Sequence, residues 1–123
     1  MAAPEVLSHG TFTTKSDVYA FGLTLWFVET EEDPLSNIRN QFELIRAVVM
    51  DNQRPSISKC TMLPDLIQWC WQNDSADRPT FDVTGKKVFQ QLVQSVMCLI
   101  KWQCSTHHSL GLWEISPAGG VWP

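Results

Sequence analysis

The 123-residue chain is poor in charge, with 18% Asp, Glu, Lys and Arg, a formal net charge of -4 and an isoelectric point near 5.2. Without a basic field, nucleic acid and anionic membrane surfaces are excluded as expected partners. The four cysteines, Cys60, Cys70, Cys98 and Cys104, form no C-x-x-C pair, and the N-terminus has neither the basic nor the apolar region of a secretory leader. A reduced, cytoplasmic chain is the expectation. The longest apolar run, Val18 to Val28, is bounded by Asp17 and Glu29 and falls well short of the ~18 residues that mark a membrane span. No G-x-G-x-x-G occurs, and Gly85-Lys86-Lys87 lacks both the upstream glycine and the Ser/Thr of a phosphate-binding loop. Cys98, Cys104, His107 and His108 are zinc-ligand types, but their spacing matches no standard site, so no metal is expected.

What the chain does have is hydrophobic content, 44%, enough for one small domain with a core and a tail. From Ser16 to Glu29 the sequence predicts a helix that is apolar on nearly every face and therefore central, with Ser16 as N-cap and Asp17 at the positive end of the dipole. Such a helix needs cover on all sides, so some of Val18, Phe21, Leu25 and Val28 should be exposed, and the chain is expected to associate or aggregate through that exposed core. Ile38, Phe42, Ile45 and Val49 recur at helical spacing, with Arg39, Glu43 and Arg46 on the other side. A short third helix carries Leu63, Leu66, Ile67 and Cys70, with Pro64 in its first turn. A fourth starts near Thr80 and runs through Phe81, Val88, Leu92 and Val96 despite Gly85. No strand is predicted. The expected division is a folded part over 1–95 and a divergent, irregular tail over 96–123, where Gly111, Pro117, Gly119 and Gly120 break helices and Trp102, Trp113 and Trp122 make the composition unlike ordinary disorder.

Three segments carry a resemblance. Thr13 to Gly22 with Leu25-Trp26 is similar to the central-helix signature of protein kinases, above all tyrosine kinases and their tyrosine-kinase-like relatives. Ala3-Pro4-Glu5 matches the A-P-E that closes the kinase activation segment, and Cys70-Trp71, Asp74 and Arg78-Pro79-Thr80-Phe81 match the C-W-x-x-D-P-x-x-R-P-T-F pattern. The motifs stand in family order and cover about Ala3 to Leu92. The stretch from Asn37 to Phe81, with Asn52-Gln53-Arg54-Pro55 and Leu66 to Trp71, resembles the receptor-interacting kinases. Departures are an extra alanine before Pro4, Ser75 in place of the motif proline, and Glu31 where a glycine often precedes Pro34.

The resemblance implies an all-α fold: an incomplete kinase C-lobe of about four helices around one apolar helix. It implies that Glu5 pairs with Arg78 through the fork only arginine supplies. In whole kinases the residue matching Asp17 positions the catalytic loop; that loop is not in this sequence, so a helix-terminal carboxylate is the expected role here. Trp26 is expected to be structural, and Trp69, Cys70 and Trp71 on the short helix are expected in the core rather than in a ligand cage. Phosphoryl transfer needs a glycine-rich loop, a strand lysine, the H-R-D loop and the D-F-G aspartate, none of which occurs, the only histidines being His9, His107 and His108. No catalytic, cofactor or metal residue is therefore expected, and ATP and magnesium belong only to a complete parent. The leading expectation is a truncated kinase domain that is non-catalytic alone. Its competitors are an autonomous, pseudokinase-like interaction module docking proteins through Arg39, Glu43 and Arg46, and a chain with no function.

Overall fold

A computed structural model of the chain describes residues 2–58 and 61–109, the side chains of 103–109 excepted. Among these residues the structure is helical throughout, with no strand. The chain divides into two compact units, Met1–Val88 and Phe89–Pro123.

Helix α1, Pro4–His9, was not expected from the periodicity. Pro4 opens it without losing a needed N–H, and Gly10 closes it in the left-handed region at φ 67°, donating to Glu5 and Val6 carbonyls. Helix α2, Thr14–Thr30, is the predicted central helix, but its N-cap is Thr13 and not Ser16. Ser16 stands at the third helical position, where its amide donates to Thr13 Oγ1 at 3.2 Å while its own hydroxyl accepts from the Thr13 amide at 2.8 Å. The reciprocal pair satisfies two amides at once, which one serine at the cap would not. At the far end Glu31 adopts φ 56° and donates to the Phe27 carbonyl at 2.7 Å. A left-handed glutamate explains why glycine suits this position elsewhere in the family resemblance.

Helix α3, Gln41–Ile45, begins later than predicted because Asn40 Oδ1 accepts from the Glu43 amide at 2.8 Å and fixes the start. Ile38 therefore precedes the helix, and Phe42, expected on the inner face, is 86% exposed. A π-helical turn, Arg46–Met50, follows directly and turns Ala47 and Val48 into the core. Helix α4, Pro64–Cys70, leads to a 3-10 turn, Ser75–Asp77, capped by Asp74 Oδ1 on the Ala76 amide at 2.9 Å. Helix α5, Phe81–Ser109, continues past residue 95, where an irregular tail was expected. The helix breakers that prompted that expectation begin only at Gly111, and residues 110–123 lie outside the described ones.

In the first unit α2 packs against α4. One buried cluster joins Ala3, Tyr19, Leu23, Trp26, Ile67 and Trp71; a second joins Val18, Leu66 and Cys70. The close approach depends on Gly22. A Cβ there would lie 2.6 Å from Cys70 Cβ and 3.4 Å from the Ile67 carbonyl oxygen, inside contact distance. Val18 is buried against α4 rather than exposed, while Phe21 and Leu25 are half-buried and Val28 is 65% exposed, so cover is incomplete on one side of α2 only.

Candidate functional site

The most connected polar group in the first unit is Arg78, whose side chain is fully buried. It lies just after the 3-10 turn, which ends in extended backbone and aims the side chain back toward α1. Its Nη1 donates to Glu5 Oε1 at 2.7 Å and its Nη2 to Glu5 Oε2 at 2.8 Å, the parallel two-bond geometry of a guanidinium on a carboxylate. The remaining donors go to main-chain oxygens: Nε to Gln72 at 2.8 Å, Nη1 to Lys15 at 3.0 Å and Nη2 to Asn73 at 3.2 Å. All the N–H capacity of the fork is thus used, as burial of a charge demands. Lys15 Nζ in turn donates to the Arg78 carbonyl.

Tyr19, on α2, extends this group. The Arg78 guanidinium carbon stands 5.0 Å from the ring centroid and that of Arg54 stands 5.2 Å away, both in cation–π range. Arg54 Nε donates to the Trp71 carbonyl at 3.0 Å, and Nη1 to the carbonyls of Gln53 at 2.9 Å and Val48 at 3.2 Å. Its Nη2 is buried without a partner. The electrostatics follow from burial and charge together. Burial pushes the Glu5 carboxyl up, but the Arg78 bond and charge, with a main-chain bond, outweigh it and hold the group below its ordinary 4.5. Burial raises Tyr19 against the pull of both arginines. Burial, and then the nearby Arg78 charge, lower Arg54.

The other expected residues fall in three places. Trp26, Cys70 and Trp71 are core residues, and Trp26 Nε1 donates to the Ser56 carbonyl at 2.9 Å. Trp69, expected in the core, is instead exposed, because its Nε1 donates to the Asp77 carbonyl at 2.8 Å and holds the ring on the outer side of α4 beside the Lys87 ammonium. The Cys70 thiol is pushed up to about 11 by burial, against a bond from Thr84, so it is a packing group and not a nucleophile at neutral pH. Asp17 is exposed in the first turn of α2 and takes no part in the bonds that join Glu5 to Arg78. Arg39, Glu43 and Arg46 are all exposed, but they belong to three different stretches: the loop before α3, α3 itself and the π turn. Arg46 reaches Asp51 at 3.8 Å, a surface pair. Among the described residues no three His, Cys, Asp or Glu side chains gather as a metal set; the side chains of Cys104, His107 and His108 lie outside them.

Sequence periodicity missed Tyr19 and Arg54 as partners of Arg78. The signal available was Tyr19 itself, one of few polar groups on an otherwise apolar helix, which needs a polar neighbour when buried. The assembled group holds no activated base or nucleophile: apart from Arg54 Nη2, its guanidinium donors are committed to main-chain oxygens and Glu5, and its carboxylate is committed to Arg78. Chemically it is a lock between α1 and the segment leading into α5.

An all-helical scaffold wound on an apolar helix, with the A-P-E glutamate bridged to the arginine of R-P-T-F, is a region of a protein-kinase C-lobe. The comparison with family models agrees: residues 1–88 match the protein tyrosine and serine/threonine kinase model, and the chain belongs to that family. It is similar to dual specificity protein kinase shkA of Dictyostelium discoideum, 40% identical over 82 residues, covering 65% of this chain and 16% of that protein. It is also similar to ephrin type-B receptor 6 of Rattus norvegicus, 41% identical over 83 residues, covering 66% of the chain and 8% of the receptor. Serine/threonine-protein kinase mos of Patiria pectinifera is 38% identical over 81 residues, covering 63% of the chain and 23% of that kinase. The chain spans less than a quarter of the length of each of these relatives. No helix among the described residues is long and apolar enough to cross a membrane.

Proposed function

We propose that the chain is the scaffold portion of a protein-kinase domain whose complete form transfers phosphate from ATP to Ser, Thr or Tyr of proteins, and that this portion alone is non-catalytic. The observation that carries the proposal is the bridge from half-buried Glu5 to buried Arg78, which ties the A-P-E end to the helical core in a chain whose sequence holds no glycine-rich loop, strand lysine, H-R-D or D-F-G. ATP and magnesium therefore have no carboxylate set or amide cradle here to replace their hydration. Within the family, Asn52-Gln53-Arg54-Pro55 and Leu66 to Trp71 support placement in the tyrosine-kinase-like group near the receptor-interacting kinases, with a signalling role in the cytoplasm. Calorimetric titration of the chain with MgATP tests the non-catalytic reading. No saturable heat is expected, and binding with a micromolar dissociation constant would contradict it.

A second reading is favoured by one observation. Phe42, 86% exposed, stands beside Glu43 and between Arg39 and Arg46, all exposed, so an apolar side chain ringed by charges is available on the outer helix. That arrangement suits docking of a protein partner. Under this reading Phe42→Ala abolishes capture of the partner and leaves thermal melting unchanged.

A further inference from the structure

In the second unit, α5 presents an apolar face that the described structure leaves uncovered. At 100° per residue, Phe89, Val93, Val96 and Ile100 form its central stripe, at spacings of four, three and four residues. Leu92 and Leu99 flank the stripe on one side and Met97 on the other. All seven side chains are between 45% and 67% exposed. Gln91 and Cys98 occupy the opposite arc, and Gln94 and Lys101 border the face beyond Met97. Seven large apolar groups on one arc of a helix are not the pattern of a solvated surface.

We infer that this face is a self-association surface, occupied by the same face of a second copy of the chain. Three observations select that occupant. From Val88 to Ile100 there is no charged residue, so two copies meet without like-charge repulsion, and a partner chosen by charge would find nothing to pair with. The exposed apolar area of the seven side chains is on the order of 700 Å² per copy, close to the roughly 800 Å² per partner of a standard interface. Val93, Val96 and Ile100, three of the four residues of the stripe, are β-branched, a residue type that fills the core positions of paired helices. A bilayer fits less well, because helices that lie on membranes carry Lys and Arg along the polar arc, and here the residues of 89–100 outside the apolar face are Gln90, Gln91, Gln94, Ser95 and Cys98.

Sedimentation equilibrium of the full chain from about 1 to about 100 µM tests the inference. A reversible monomer–dimer equilibrium is expected, with its dissociation constant raised at least about tenfold by Val96→Glu, changed less than about twofold by the opposite-arc control Gln91→Glu, and unchanged by Val28→Glu on α2. Circular dichroism of each variant reports whether the helices persist, and exposure of Val96 in the monomer means that they should. A wild-type chain that stays monomeric throughout overturns the inference. Two forms of that result name the true occupant: a monomer whose melting temperature falls with Val96→Glu has its own residues 110–123 on the face, and a monomer that co-sediments with phosphatidylcholine vesicles has lipid there. Association lost in Val28→Glu but kept in Val96→Glu overturns it equally, because it would run through α2.

Discussion

Two residues show how single positions set the stability of this scaffold. Gly22 lets α2 and α4 touch, and the added methyl of Gly22→Ala would push against Cys70 Cβ and the Ile67 carbonyl, neither of which is the free end of a flexible side chain. Overpacking of this kind costs about 1 to 3 kcal/mol, so urea unfolding of Gly22→Ala should show a lower midpoint at an unchanged slope. Glu5 gives a pH signature. Its carboxyl is held below its ordinary 4.5 in the folded chain, so its stabilising effect is complete above pH 4.5 and is lost as pH falls through the depressed native value. Melting temperatures of the wild type and Glu5→Gln should therefore differ most near neutrality and converge as the pH is lowered below 4.5. Curves that stay parallel through that range would mean the carboxylate contributes nothing through its charge.

Among the elements, α5 is the one whose sequence and structure differ most. Gly85 lies within it, exposed, and a Cβ at that position meets nothing within 4 Å. No packing reason for the glycine exists in the described structure, so Gly85→Ala should stabilise the helix by up to about 1 kcal/mol, seen as a higher urea midpoint. The helices were legible where hydrophobic period and cap chemistry agreed. The central helix and the short Pro64 helix stand where they were expected, since an all-apolar run and a first-turn proline have few other readings. Period alone misplaced Phe42, because Asn40 sets the start of α3 and the π turn after Ile45 shifts the register by which Val48 enters the core. Period also gave no sign of α1, which is one short turn fixed by Pro4 and Gly10. The bridge of Glu5 to Arg78 followed from the family motifs and not from spacing, and the participation of Tyr19 and Arg54 followed from neither. Contacts across a fold are set by packing that no local pattern records.

On the scale of the molecule, the first unit is held as one piece by contacts between residues far apart in sequence. Glu5 and Arg78 are 73 positions apart, and Trp26 reaches Ser56 across 30. Phe12, Phe27, Val28, Met50 and Met62 remain exposed on this unit, large apolar groups left outside its core. The account rests on Arg78 as the joint between the A-P-E end and the helices, and on the fork geometry as what makes the joint. Arg78→Lys keeps the positive charge but cannot make two parallel bonds to Glu5 while also reaching the carbonyls of Gln72, Asn73 and Lys15. Equilibrium urea unfolding of the wild type, Arg78→Lys and Arg78→Ala is the direct measurement. The account predicts a loss of at least about 2 kcal/mol for the lysine and about 3 to 5 kcal/mol for the alanine, which strands the Glu5 carboxylate and the main-chain acceptors. If both variants unfold within about 0.5 kcal/mol of the wild type, as substitutions of surface charges do, the bridge does not hold the scaffold together.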